Sequence, residues 1–168
     1  GEHRGLGHGA TLFEESIRVP MIWSLPGVLP EGERSAQPAS LVDVTPTVLE
    51  LLGLPFPVVI QGQSLLGAML DPRAEDPQKN LIAILKDSHD SLRSGRWKLI
   101  REGVQSDSFR LYDLERDPEE RLDRWATHPI QGSVLKQELL WQRVEDSALR
   151  ALQPPVPVSE ELDPDTAA

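Results

Sequence analysis

Apolar positions along the chain fall into three rhythms, and each predicts a different kind of element. Leu12, Phe13 and Ile17 open the first apolar stretch, and Thr11-Leu12-Phe13-Glu14 fits a capping box at the start of a short helix. Val19 to Trp23 is continuously apolar, which suits a parallel strand covered on both faces, and Ser24-Leu25-Pro26-Gly27 closes it as a turn. After a polar loop over 28–39 the period changes to that of a helix. Val44, Val48, Leu51 and Leu52 share one face, Thr45 is the expected N-cap, Pro46 the first helical residue and Gly53 the left-handed stop. Ser64 to Met69 predicts a further helical turn.

Beyond a polar, proline-containing connector at 71–80 the rhythm shortens to that of strands. These are expected at Leu81–Leu85, Ser91–Arg93, Arg96–Arg101 and Phe109–Leu114, with a tight turn at Ser94-Gly95. Asp117-Pro118-Glu119-Glu120 reads as a turn. A long helix is expected from Ser133 to about Gln153, with Leu140, Val144, Ala148 and Leu152 as its apolar stripe. The domain expectation is therefore residues 1–70 as one α/β segment, 71–80 as a connector and 81–153 as a small α+β unit. Residues 154–168, dominated by prolines and acids, are expected to be a disordered tail.

Composition removes several classes of function. The chain has 168 residues and a formal net charge of -10, so a basic nucleic-acid footprint is not expected. It has no cysteine, which excludes disulfides and thiolate metal sites within it. No apolar run approaches the ~18 residues that would predict a membrane span. The compartment is left open.

The densest chemistry lies at the start. Gly1, Gly5, Gly7 and Gly9 alternate with His3 and His8 in the first nine residues. Glycines let a backbone approach a ligand closely, and a histidine there can bind a metal, donate to an anion or move a proton. On residue type alone His8 reads as a solvated loop histidine; the resemblance of its flanks to a known family makes it the leading catalytic and substrate-binding candidate. His3 is a weaker substrate-binding candidate, and no metal ligand is expected within the chain.

Several motifs give this loop a context. Gly1-Glu2-His3, His8-Gly9-Ala10-Thr11-Leu12-Phe13-Glu14-Glu15-Ser16-Ile17-Arg18-Val19-Pro20, the run from Ser40 to Gly53, Gly62-Gln63-Ser64-Leu65-Leu66, Arg93-Ser94-Gly95-Arg96-Trp97-Lys98-Leu99-Ile100 and Leu111 to Glu120 follow one another in order. Together they resemble the C-terminal part of a sulfatase of the alkaline-phosphatase-like superfamily. The resemblance implies an α/β fold: the C-terminal portion of an alkaline-phosphatase-like sandwich plus a small antiparallel sheet with a packing helix. It also implies a parent enzyme that hydrolyses sulfate esters, with a divalent cation, Ca²⁺ in the family, bound mainly by residues upstream of this chain. The expected partners are an anionic ester substrate and the N-terminal part of the same protein. In the family the nucleophile is a formylglycine made within a Cys/Ser-x-Pro-x-Arg motif, which this sequence does not contain, so the chain alone is expected to be inactive. The resemblance assigns His8 a contact with the sulfate group. The family's loop lysine has no counterpart here, which keeps a phosphate or phosphonate ester hydrolase, or a non-catalytic binding module, open as alternatives.

Other charged residues read as structural. Arg18 is expected to serve the scaffold, and Glu14 and Glu15 lie at adjacent helical positions that point apart. His89 and Asp90 are expected in an exposed turn. Arg93, Arg96, Lys98 and Arg101 form a basic cluster expected to be a solvated face. Asp113 and Asp117 have metal-loop spacing without the rest of such a loop.

Overall fold

The computed structural model describes residues 11–57, 59–74, 76, 79–85, 89–103 and 108–152. Its centre is a four-stranded antiparallel sheet in sequential order: β1 (Leu81–Leu85), β2 (His89–Ser94), β3 (Trp97–Glu102) and β4 (Ser108–Asp113). Ser94 pairs with Trp97, so the β2–β3 connection is the two residues Gly95 and Arg96. Gly95 takes a φ of +55°, which the twist of a tight hairpin demands at that position. The strands match those expected to within two residues at either end.

The pleat sorts the side chains into two unlike faces. On one face Leu92, Leu99, Phe109 and Leu111 join Leu135 and Leu139 of the long helix α4 (Pro129–Leu152) in the principal core. Phe109 stacks on Trp125 at 5.5 Å, and Gly132 lies against the Trp125 ring where any side chain would collide. On the other face Ile100 and Tyr112 pack with Leu12 and Phe13, which precede the short helix α1 (Glu14–Ile17). The sheet is thus covered on both sides.

Helix α4 begins four residues earlier than expected and turns a different stripe inward. Leu135 and Leu139 are buried, whereas Leu140, Val144 and Leu152 of the expected stripe are exposed. Two apolar stripes run along this helix. The one carrying Gly132 faces the sheet because the absent side chain admits the Trp125 ring.

Helix α2 (Val44–Leu51) is preceded by a 3₁₀ turn at Leu41–Asp43, so Thr45 is not its N-cap. The Asp43 carboxylate accepts the Ser40 N–H at 2.7 Å and the Gln63 N–H at 2.9 Å, and pairs with Lys79 Nζ at 2.7 Å. Thr47 Oγ1 donates to the Asp43 carbonyl at 2.6 Å and accepts the Leu65 N–H at 2.9 Å. This buried polar knot turns Asp43, Pro46 and Thr47 inward and fixes α2 against α3 (Leu66–Leu70). Gly53 supplies the expected left-handed stop at φ +64°. Gly62 is also left-handed, at φ +84°, and a Cβ there would overlap the Val42 carbonyl. Gly62→Ala is expected to cost about 1–3 kcal/mol in urea unfolding, since both the φ and the close approach exclude a side chain.

Residues 19–23 do not form the expected strand. They have no regular secondary structure and no strand partner among the described residues, and Ile22 is 89% exposed. A strand needs at least one neighbouring strand to pair its backbone, and the only sheet among the described residues is antiparallel and does not include this segment.

Candidate functional site

The first ten residues, with His8, His3 and Glu2, lie outside the described residues. What the structure does show is how the chain is fastened from Leu12 onward. Leu12 and Phe13 are buried against Ile100 and Tyr112, and the Phe13 ring meets Tyr112 edge-on at 5.9 Å. The Arg110 guanidinium lies 5.6 Å from the Phe13 ring centroid and donates to the Tyr112 hydroxyl at 3.4 Å. Burial pushes the Tyr112 phenol above its usual range, so it stays a neutral O–H rather than a general base.

Next to this apolar seat is a cluster of four charges. Lys98 on β3 is 1% exposed, and its Nζ lies 2.8 Å from Glu14 Oε1 and 2.8 Å from Glu120 Oε1. The contact with Glu120 is one of charge, without the alignment of a hydrogen bond. Arg93 Nη1 approaches Glu14 Oε2 at 3.4 Å. The Glu14 backbone N–H donates to Glu120 Oε2 at 2.6 Å, so the carboxylate that caps α1 comes from a residue 106 positions away. The expected capping box is absent: Phe13 is the N-cap and makes no side-chain cap, and Thr11 Oγ1 instead lies 2.8 Å from Ser16 Oγ. Long-range packing overrides the local motif because Lys98 offers Glu14 a stronger partner than a backbone amide.

Glu120 is itself unusual. It is buried and has a φ of +54°, a conformation that costs a non-glycine residue free energy and persists only where its surroundings enforce it. That backbone aims the carboxylate at α1 and Lys98.

The basic cluster is not a solvated face. Arg96 pairs with Asp113 and with Glu115, and Arg101 Nε donates to Asp90 Oδ2 at 2.7 Å. Alternation sends Arg93 and Lys98 to the α1 side and Arg101 to the α4 side, and each meets a carboxylate there. His89 and Asp90 are in β2 rather than an exposed turn, and Asp90 is fully buried between Arg101 and Arg143 of α4. Asp117 accepts the Leu122 N–H at 2.8 Å and shapes a turn. Arg18 is exposed, and its backbone N–H closes the last turn of α1.

The described residues do not fit a divalent cation. They include no group of three or more His, Asp or Glu able to hold one, and the buried carboxylates of Asp43, Asp90 and Glu120 are already committed to lysine or arginine. Sequence reasoning missed the Lys98 cluster because each member had a plausible local role. The available signal was Lys98 itself, a lysine inside the apolar run Trp97–Ile100.

The described residues form a small antiparallel sheet backed by one long helix, with a short helix on its other face. The chain belongs to the family described as N-sulphoglucosamine sulphohydrolase, C-terminal, which matches residues 1–147. It is similar to arylsulfatase K of Bos taurus, at 32% identity over 150 residues, covering 82% of this chain and 27% of that protein. It is also similar to choline-sulfatase of Rhizobium meliloti, at 32% identity over 133 residues, covering 75% of this chain and 25% of that one. The crystal structure of Ps i-CgsB has the same fold, with a TM-score of 0.58 and 22% identity over 70% of this chain and 27% of its own. The chain therefore spans about a quarter of the length of these relatives. No helix among the described residues is long and apolar enough to cross a membrane.

Proposed function

We propose that this chain is the C-terminal part of an enzyme that hydrolyses sulfate esters, and that its contribution to the reaction is His8. The observation that carries this reading is the family match across residues 1–147, which runs through the glycine–histidine loop into the helix fastened by Lys98. His8, as an imidazolium, donates a hydrogen bond to a non-bridging sulfate oxygen and takes up charge as the ester bond breaks. His3 makes a lesser contact with the same anion. The nucleophile, a formylglycine, and the divalent cation, Ca²⁺, belong to residues upstream of this chain. When bound, the cation would supply charge neutralisation at the sulfate.

The exposed apolar side chains of Val19, Ile22, Leu25, Val28, Leu52, Leu54 and Phe56 support a missing neighbour. In this reading the rest of the enzyme packs there and completes the strand at residues 19–23.

The test compares the intact protein with the 168-residue chain. With chromogenic aryl sulfate and aryl phosphate in the presence of Ca²⁺, the intact protein is expected to turn over the sulfate and the isolated chain neither. Preference for the phosphate ester would overturn the sulfatase reading. Turnover that follows the isolated chain through purification would overturn the division of labour.

A further inference from the structure

Helix α4 carries a second apolar stripe that nothing among the described residues covers. Ile130, Val134, Trp141, Val144 and Ala148 are all exposed, Trp141 at 61%, and with Gln137 they follow one another at alternating spacings of four and three. That strict alternation is the heptad seam of a two-stranded coiled coil, narrower than the stripe of a helix lying on a sheet. Ile130 and Ala148 each stand nine positions from Leu139, about two and a half turns, so the seam faces directly away from the core. A shallow groove runs along it beside Trp141. The Asn80 side chain meets Glu138 at 3.1 Å and Gln61 meets Asp146, so the segment before the sheet reaches the flank of α4 and stops short of the seam. The outer face of a surface helix is normally polar, and a run of large apolar side chains there marks a contact surface.

We propose that this seam is the contact between two copies of the protein, packed as parallel helices about a two-fold axis. The chain enters the described structure ahead of Leu12 and Phe13, which lie on the sheet face opposite α4, so the upstream part of the same molecule is tethered across the sheet from the seam. A second copy has no such tether, and a two-fold contact presents each seam residue to its own equivalent. Charge selects the orientation. Glu138 and Glu145 flank the seam on one side, and Ser133, Leu140 and Ser147 flank it on the other. An antiparallel pair would set the two acidic flanks against each other, whereas a parallel pair sets Glu138 against Ser133 and Glu145 against Leu140 of the other copy. Gln137 is the only polar member of the seam. Facing its own equivalent, it can hydrogen-bond in this register alone, as a lone polar seam residue does. Trp141 is the central anchor, since a large aromatic in a desolvated contact carries much of its strength. This contact is independent of the function proposed above.

Sedimentation velocity on the intact protein, over a wide range of concentration, tests the contact. Wild type is expected to be a dimer, and Trp141→Ala to weaken association by about thirtyfold or more, the effect of losing a central aromatic anchor. Trp141→Glu/Val144→Glu and Trp141→Lys/Val144→Lys each place like charges opposite one another and should be monomers with unchanged helix content by circular dichroism. Their equimolar mixture should recover a dimer, because opposite charges then face each other. Under mild oxidation Val144→Cys is expected to form a disulfide between the two substituted positions, mapped by mass spectrometry. A monomeric wild type would overturn the proposal, because the seam would then be covered within one molecule. So would a dimer that the glutamate variant leaves intact, which would place the contact on another surface. A dimer without the Val144→Cys cross-link would overturn the parallel pairing, and double variants that fail to pair when mixed would show that their charges act on something other than a second copy.

Discussion

His8→Ala in the intact enzyme is expected to lower kcat by about 10²–10³, equivalent to roughly 3–4 kcal/mol of transition-state stabilisation. The expectation follows from the proposed charge-assisted hydrogen bond to a sulfate oxygen, which strengthens as negative charge develops there. A group that acts mainly in the transition state lowers kcat and kcat/KM together and leaves KM nearly unchanged. Thermal stability should change little, because His8 is a polar residue whose sequence neighbours Gly7 and Gly9 carry no side chain. His3→Ala should have a smaller effect on the same parameter. Steady-state kinetics with an aryl sulfate decides the matter. A His8→Ala enzyme with near wild-type kcat would make His8 a loop residue without a catalytic role, and one that is inactive only because it unfolds would make it structural.

Asp90→Ala is expected to be the most destabilising single substitution on the α4 side, at about 3–5 kcal/mol. Asp90 is fully buried, and its Oδ2 receives both Arg101 and Arg143, the latter from α4. Removing the carboxylate leaves Arg101, itself largely buried, without its counter-charge and releases the tie between β2 and the long helix. Asp90→Asn keeps the shape and part of the hydrogen bonding, so it should cost less. Urea unfolding of the three proteins measures both. A loss below about 1 kcal/mol for Asp90→Ala would mean that water reaches the two arginines readily and the pair behaves as a surface one.

The two substitutions separate what each half of the molecule does. The role proposed for His8 is legible in residue type and neighbours alone. Asp90 belongs to a scaffold whose importance is invisible until β2, β3 and α4 are brought together. In sequence Asp90 follows a histidine, and the pair reads as a polar turn.

Local pattern determined a good deal of this protein. The four strands, the β2–β3 turn, the left-handed stop at Gly53 and the presence of the long C-terminal helix follow from signals that depend on near neighbours in the chain. Thr45, by contrast, is not the N-cap of α2, and Val48 and Leu52 of its expected apolar face are exposed. The family was also legible, since its motifs survive in order. Other outcomes were decided only by tertiary structure. Which of two apolar stripes on α4 turns inward depends on Gly132 making room for Trp125. Whether residues 19–23 form a strand depends on neighbours that the antiparallel sheet does not provide. Glu14 leaves its local capping role because Lys98 and Glu120, 84 and 106 residues away, offer a buried charge and a remote cap. A run of cations looks solvated when read along the chain, and becomes a set of separate ion pairs once the pleat sends alternate residues to opposite faces. Charge pairing and stripe choice are settled by what arrives from elsewhere in the chain, and local sequence carries no term for that.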